Sequence, residues 1–219
     1  QDEEPLVSKD VTSALYAPTA AVILPWELCL AFMRNAMTNG VTLLRNQEVV
    51  SISKNAPDHY VVETSSDSFA SRYVVNAAGL QSDRIHNMIS SPDFEILPSR
   101  GEYALFDKNN HTPVNHILFQ CPSALGKGVL VAPTVHGNLI VGPSSTQTTD
   151  REDLSTSTPV QESVQALARK TLPSICFRDN IRNFAGLRAN SSIHDFVIRE
   201  CIDAPRFIDV AGIRSPGLA

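Results

Sequence analysis

The chain has 219 residues, of which 42% are hydrophobic and 19% are charged, and its formal net charge is −5. This is the composition of a globular protein of about one to one and a half domains, and it excludes a disordered polar chain. The acidic charge argues against nucleic-acid binding, because phosphate neutralisation needs clustered lysine and arginine. The sequence also lacks the run of roughly 20 apolar residues that a membrane helix needs.

Cysteine usage and the two ends of the chain bear on its compartment and completeness. The four cysteines form no Cys-x-x-Cys pair, and no two histidines have metal-ligand spacing, so neither a metal site nor a redox dithiol is expected. Free thiols are typical of the reducing cytoplasm, which is the predicted location. The first residues lack the basic head and apolar core of a signal peptide. Both ends resemble points at which a longer sequence was cut, so we expect this chain to be a piece of a longer protein.

The first part of the chain predicts one helix within a run of strands. Pro25 fits the first position of a helix, where its missing N–H costs nothing, and Asn39-Gly40 ends it. Between these signals, apolar residues recur at helical spacing. The predicted apolar face consists of Trp26, Cys29, Leu30, Met33, Ala36 and Met37. The expected strands are 21–24, 41–44, 48–53, 60–64 and 69–75, and a helix over 81–89 follows them.

The second part predicts more short strands around one helix, after a break near 91–98 that contains two prolines. Thr158 is expected to cap this helix, with Pro159 at its first position. Short spacings between strands favour antiparallel meanders, so the predicted fold class is α+β. The expected strands are 101–106, 117–119, 128–132, 138–141, 181–187, 196–200 and 207–211.

Two turns rich in small residues are candidates for a ligand site. No Gly-x-Gly-x-x-Gly and no phosphate-binding loop occurs, so the first strand–helix turn that binds a dinucleotide is missing from this sequence. The turn Asn76-Ala77-Ala78-Gly79 follows a strand and would let a ligand approach the backbone, or would equally suit plain packing. The turn 212–218 precedes a helix, whose first N–H groups would attract an anion or would be met by an ordinary cap.

Arginines and histidines supply the candidate polar groups. Arg188 follows the strand 181–187, and Arg100 lies close to Tyr103. A planar guanidinium suits a carboxylate or a phosphate, while a structural ion pair is the alternative role for each arginine. His136 and His194 lie beside turns, where they would be polar groups of a cleft or simply solvated.

Six segments of the sequence, taken in order, resemble those of a known protein family. They are 25–40, Glu48-Val49-Val50-Ser51-Ile52, Val75–Asp83, Arg100-Gly101-Glu102-Tyr103, Phe184-Ala185-Gly186-Leu187-Arg188 and 212–218. Together they cover nearly the whole chain, which resembles the FAD-dependent oxidoreductases of the D-amino-acid oxidase superfamily. Within that superfamily the chain is most similar to glycerol-3-phosphate dehydrogenase-like and L-2-hydroxyglutarate dehydrogenase-like proteins. One departure is Ala189, where glycerol-3-phosphate dehydrogenases commonly have proline.

The resemblance implies a two-domain enzyme with FAD as its cofactor and without a metal. Residues 1–90 would form part of the FAD-binding α/β domain, 91–203 a substrate domain with an antiparallel or mixed sheet and flanking helices, and 204–219 the return to the FAD-binding domain. The residues implied to bind the cofactor are Val49, Asn76, Ala77, Ala78, Gly79, Gly212, Ile213, Gly217 and Leu218. The residues implied to serve substrate binding and catalysis are Arg188, Arg100 and Tyr103.

The function that the resemblance implies is oxidation of a small anionic alcohol by hydride transfer to flavin N5. Glycerol 3-phosphate is the first choice of substrate, and L-2-hydroxyglutarate or an amine is the alternative. The rival class is a non-catalytic module that captures an anion without a flavin. A cationic clamp would orient the substrate, because such orientation lowers the barrier by several kcal/mol. The fragment alone is expected to be inactive, and the longer protein would contact an electron acceptor or a membrane surface.

Overall fold

The structure is a computed structural model that describes residues 2–56, 59–109, 111–122, 128–215 and 217. Short strands and a few helices make up these residues, which confirms the predicted α+β class. The helices are α1 Pro25–Thr38, α2 Ser82–His86 and α3 Thr158–Thr171. The strands are β1 Val49–Ala56, β2 His59–Thr64, β3 Ser68–Ser71, β4 Val74–Asn76, β5 Ile96–Phe106, β6 Leu130–Pro133, β7 Leu139–Gly142, β8 Thr146–Gln147, β9 Asn180–Ser191, β10 Val197–Glu200 and β11 Phe207–Ala211.

The chain divides into two compact units, and each unit takes three segments of the sequence. Unit 1 consists of Gln1–Val41, Arg100–Thr146 and Leu154–Gly186. Unit 2 consists of Thr42–Ser99, Gln147–Asp153 and Leu187–Ala219. The units therefore alternate along the sequence. The domain ranges 1–90, 91–203 and 204–219 stay a prediction.

The core of unit 1 forms where α3 packs against β6 and β7. These strands belong to a five-stranded sheet of order β6-β7-β5-β8, in which β9 also pairs with β5. Val164 and Ala168 lie one turn apart on α3 and are fully buried among apolar strand residues such as Phe106 and Val141. Because burying one valine or leucine side chain contributes about 1.5–3 kcal/mol, this helix face is a main source of stability for the unit.

Unit 2 contains two three-stranded sheets that position the candidate site. One is the antiparallel meander β1-β2-β3, and the other has the order β10-β11-β4, in which β11 and β4 run parallel. Tyr60 and Phe207 are buried between them in one apolar cluster. The Tyr60 hydroxyl donates to the Pro205 carbonyl at 2.7 Å, and burial raises the pKa of this phenol. The parallel register places Asn76 opposite Asp209, at the end of β4 from which the small-residue turn leaves.

Several expected elements differ from the observed ones. Residues 21–24 and 41–44 are apolar but not strands, and residue 118 makes a single bridge to Val131 in place of the strand 117–119. The expected strand 69–75 is two strands, and the expected helix 81–89 is a 3-10 turn followed by the short α2. β-propensity mostly reports packing against neighbouring strands, so an apolar run without such a neighbour does not become a strand.

α1 begins at Pro25 as predicted, whereas α3 begins at Thr158, one residue before the predicted start at Pro159, and the two helices differ in their surroundings. The N-cap of α3 is Ser157 and not Thr158, and the Ser157 backbone N–H donates to the buried Glu102 carboxylate at 3.0 Å. In α1 the predicted apolar face is present, yet the helix has no buried residue, and Trp26 is 58% exposed.

Candidate functional site

A pocket of about 440 Å³ in unit 2 collects residues from three separate parts of the sequence. The first part is the turn after β4, the second is the β9 segment 187–189, and the third is the stretch after β11. The lining residues are Gly79, Leu80, Leu187, Arg188, Ala189, Ile213, Arg214, Ser215 and Gly217. The structure thus brings together the predicted cofactor-binding residues Gly79, Ile213 and Gly217 with the predicted anion-binding residue Arg188.

Two glycines with positive φ shape the pocket in different ways. Gly79 has φ +57°, and a Cβ built there would meet no atom within 4 Å, so its backbone faces open space. Gly212 has φ +67° and is buried, and a Cβ there would lie 2.8 Å from Ser191 Cβ. The left-handed backbone region favours glycine at both positions. Gly79 leaves room for a ligand, whereas Gly212 lets the chain pass close to Ser191 on its way to the pocket.

The side chain of Asn76 closes the small-residue turn. Its Nδ2 donates to the Ser82 carbonyl at 2.8 Å and to Asp209 Oδ1 at 2.7 Å, while its Oδ1 accepts from the Ala78 backbone N–H at 3.3 Å. His86 Nδ1 lies 2.7 Å from the other oxygen of Asp209. Asn76, Asp209 and His86 are all buried. A satisfied buried network of this kind fixes one backbone path, here that of the turn 77–82.

An ion pair between Asp83 and Arg151 lies directly behind the same turn. Arg151 donates from Nη1 to Asp83 Oδ1 at 2.5 Å and from Nη2 to Asp83 Oδ2 at 2.6 Å, and its Nη1 also donates to the Leu80 carbonyl at 2.6 Å. Burial alone would raise the pKa of Asp83, but the hydrogen bonds and charge of Arg151, with backbone N–H groups, lower it below its usual value. The bond to Asp83 raises the pKa of Arg151.

The predicted residues Arg100 and Tyr103 belong to unit 1. Arg100 donates from Nη1 to Ser155 Oγ at 2.8 Å, and its Nη2 lies 3.4 Å from Glu102 Oε1. Arg100 therefore forms a structural ion pair, which is the alternative to a role in binding an anion. The Tyr103 ring stacks on Phe184, with centroids 5.2 Å apart and an interplanar angle of 10°. Their catalytic assignments stay predictions.

The remaining predicted residues lie around the turn or outside the described part of the chain. Ala77 and Ala78 are exposed beside Gly79, and Val49 is partly buried at the start of β1. Leu218 lies outside the described residues. No sequence motif marks Arg151, which lies in a loop.

The described residues lack two features that would point to other classes of site. No helix among them has the length and apolar character needed to cross a membrane. They also contain no group of three or more histidine, cysteine, aspartate or glutamate side chains that could hold a metal ion.

Comparison with known proteins places the chain in a family. The profile of the family DAO, FAD dependent oxidoreductase, matches residues 1–219. The chain is 44% identical to a glycerol 3-phosphate dehydrogenase of Caloramator mitchellensis, over 99% of this chain and 45% of that protein. The chain thus spans about half the length of this curated relative.

Solved structures show the same fold. The L-alpha-glycerophosphate oxidase of Mycoplasma pneumoniae, reduced with dithionite and with FAD bound, superposes with a TM-score of 0.79 at 31% identity, covering 87% of this chain and 50% of that one. Glycine oxidase from Bacillus cereus superposes with a TM-score of 0.83 at 21% identity, over 96% of this chain and 56% of that one, which shows the fold alone. The chain belongs to the DAO family of FAD-dependent oxidoreductases.

Proposed function

We propose that the longer protein containing this chain oxidises glycerol 3-phosphate with FAD. The observation that carries the proposal is the pocket in unit 2, where Arg188 and the two small-residue segments meet. Support for this substrate comes from the glycerol 3-phosphate dehydrogenase that is 44% identical to the chain. One sequence feature departs from this likeness, because the chain has Ala189 where glycerol-3-phosphate dehydrogenases commonly have proline.

The residues that line the pocket suit a flat and partly polar group such as the flavin. Leu80, Leu187 and Ile213 offer apolar surface, and the open space in front of Gly79 lets a ligand reach the main chain. Ligand sites commonly combine such apolar walls with a few placed polar groups. When bound, the flavin would supply the acceptor for the hydride that leaves the substrate carbon.

The polar residues of the pocket would serve the substrate anion. Arg188 and Arg214 both line the pocket, and Ser215 adds a hydroxyl beside them. A guanidinium binds phosphate oxygens in a planar fork, which fixes orientation as well as charge. In this proposal the arginines hold the phosphate end, so that the alcohol carbon is presented at a fixed distance and the reaction is accelerated by orientation.

The test is an anaerobic visible spectrum of the full-length protein. Glycerol 3-phosphate is added first and L-2-hydroxyglutarate to a separate sample. We expect glycerol 3-phosphate to bleach the flavin absorption and L-2-hydroxyglutarate to leave it unchanged. Bleaching by L-2-hydroxyglutarate alone would replace the substrate, and a protein purified without flavin would favour an anion-binding module.

A pair of variants ties the reaction to the pocket. Arg188→Gln should raise the glycerol 3-phosphate concentration needed for half-maximal bleaching by about 100-fold, since a charge-assisted contact to the substrate is removed. Arg199→Gln is the matched control, because Arg199 is an exposed arginine of the same unit that pairs with Asp93 outside the pocket. Equal behaviour of the two variants would contradict the role of Arg188.

A further inference from the structure

We propose that Arg151 is a positioning residue, which fixes the Gly79–Leu80 wall of the pocket by holding the Leu80 carbonyl and the Asp83 carboxylate. The identity of the ligand rests on the proposed function, but the contacts that support the positioning role all lie within unit 2. No motif points to this residue, and Arg151 does not itself line the pocket that contains Arg188.

The contacts of Arg151 converge on the segment that forms the wall. Nη1 donates to the Leu80 carbonyl at 2.6 Å and to Asp83 Oδ1, and Nη2 donates to Asp83 Oδ2 and to the Ile96 carbonyl at 3.3 Å. The guanidinium is 13% exposed. Leu80 is a lining residue, so one guanidinium nitrogen is bonded directly to the main chain of the wall.

Arg151 lies on a short segment of the chain that enters unit 2 and then returns to unit 1. The segment Gln147–Asp153 belongs to unit 2, although the residues before and after it belong to unit 1. The Thr148 N–H donates to the Pro98 carbonyl at 3.2 Å, and the Glu152 N–H donates to Asp150 Oδ1 at 2.8 Å. The first bond joins the segment to Pro98 ahead of Arg151, and the second is a local bond across Arg151. From this segment, the Arg151 guanidinium extends to the Leu80 carbonyl of the turn.

The set of acceptors requires a guanidinium and not simply a positive charge. Two carboxylate oxygens and two carbonyls are met by two nitrogens in one plane. A lysine ammonium is a point charge with three donors and lacks the parallel fork that matches a carboxylate. Lysine at position 151 would keep the charge beside Asp83 and lose the bond to Leu80 or to Ile96.

Asp83 and Arg151 divide the work of holding the turn. Asp83 accepts from the Ile96 and Arg84 backbone N–H groups at 2.9 and 2.8 Å, so it also anchors the start of β5 and α2. The Leu80 carbonyl, by contrast, is bonded by Arg151. A change at Arg151 therefore reports on the pocket wall more directly than a change at Asp83.

The first experiment is hydrogen–deuterium exchange of the full-length protein with Arg151, Arg151→Lys and the control Arg199→Lys. Arg199 is also bonded to a carboxylate, Asp93, but both side chains are 42% exposed and neither lines the pocket. We expect exchange in residues 77–83 to be about tenfold faster in Arg151→Lys and unchanged in Arg199→Lys, since opening of the turn governs it. Unchanged exchange in β1 and β2 serves as the check that unit 2 is folded.

The second experiment measures the FAD dissociation constant of the same proteins. We expect Arg151→Lys to weaken FAD binding about tenfold, because small displacements of a binding wall have effects of this size. In Arg151→Ala, guanidinium ions added below unfolding concentrations should restore part of the affinity, whereas they should have no effect on Arg199→Ala. A general loss of stability would not be repaired in this way.

The outcomes separate the two proposals. Normal exchange in 77–83 together with normal FAD affinity in Arg151→Lys would overturn the positioning role. Faster exchange and weaker FAD binding in a protein that does not oxidise glycerol 3-phosphate would leave the positioning role standing and remove the proposed substrate.

Discussion

Each unit of the molecule buries carboxylates, and two of these, Asp83 in unit 2 and Glu102 in unit 1, are neutralised differently. Asp83 in unit 2 is 4% exposed and is held by both nitrogens of Arg151, at 2.5 and 2.6 Å. Glu102 in unit 1 is fully buried and accepts from the Ser157 N–H at 3.0 Å and from Gln161 Nε2 at 3.1 Å. The Arg100 Nη2 atom lies 3.4 Å from Glu102 Oε1.

The difference shows two ways of keeping a charge inside a small unit. Asp83 depends on one partner with a full charge, so the loss of that partner leaves an uncompensated ion. Glu102 has Arg100 at 3.4 Å and also accepts from neutral donors, among them the N–H of Ser157 at the N-cap of α3, where the helix dipole favours an anion. A hydrogen bond to a charged group contributes about 1.5–3 kcal/mol, so losing one of several donors costs less than losing the main counter-ion.

The largest effect should follow Asp83→Asn. Removing the carboxylate charge leaves the Arg151 guanidinium buried without its counter-ion, and breaking such a pair costs about 3–5 kcal/mol. We expect the free energy of unfolding, measured by urea denaturation, to fall by that amount. A loss below about 1 kcal/mol would show that the pair behaves like a surface ion pair and would remove the contrast with Glu102.

Glu102→Gln should have an intermediate effect of about 1–2 kcal/mol on the same scale. The glutamine oxygen can still accept from the Ser157 N–H, but its NH2 group faces other donors. Glu162→Gln, an exposed position on the same helix α3, is the matched control and should change stability by less than about 0.5 kcal/mol. A cost for Glu102→Gln equal to that of Asp83→Asn would mean that formal charge matters equally at both sites.

The pH dependence of the free energy of unfolding should include a contribution from Asp83. Its pKa is lowered in the folded state, so it stabilises the fold above its unfolded pKa of about 4 and this contribution is lost as the pH falls through the folded pKa. Urea denaturation at intervals below about pH 5 should show a steeper loss of stability in the wild type than in Asp83→Asn. Parallel curves for the two proteins would contradict the lowered pKa.

The smallest effect should follow Arg199→Met, which breaks an exposed ion pair of unit 2. Arg199 Nη2 is 2.5 Å from Asp93 Oδ2, as short as the contacts of Arg151, but both side chains are 42% exposed. Exposed pairs contribute about 0–1 kcal/mol, so denaturation should move by no more than that. A larger cost would show that contact distance, and not burial, decides the strength of these pairs.

Local signals in the sequence predicted much of the fold, and the helices show where such signals end. α1 begins at Pro25 and α3 at Thr158, directly before Pro159, and both carry an apolar face as expected. Only α3 buries that face, with Val164 and Ala168 against the sheet. Periodicity reports that a helix has an apolar side but not which part of the molecule covers it. The strands that failed, 21–24 and 41–44, failed for the same reason.

The candidate site was predictable in part. Gly79, Arg188 and Ile213 follow recognisable strands and turns, and the structure brings them to one pocket. The parallel pairing of β4 with β11 that places Asn76 opposite Asp209 is long-range and has no local signal. Arg151 acts through hydrogen bonds to residues between 55 and 71 positions away, Ile96 and Leu80 being the two extremes. Contacts of this length depend on tertiary packing and cannot be derived from spacing.

The alternation of the two units along the sequence has a consequence for synthesis on the ribosome. β4 emerges early, yet the partner strand β11 contains Asp209, 133 residues after Asn76. At elongation rates of about 5–20 residues per second, the nascent chain exposes that strand edge for roughly 7 to 27 seconds before it can pair. Unpaired edges of this kind favour aggregation. Protection by a chaperone during translation is therefore most useful between the synthesis of β4 and that of β11.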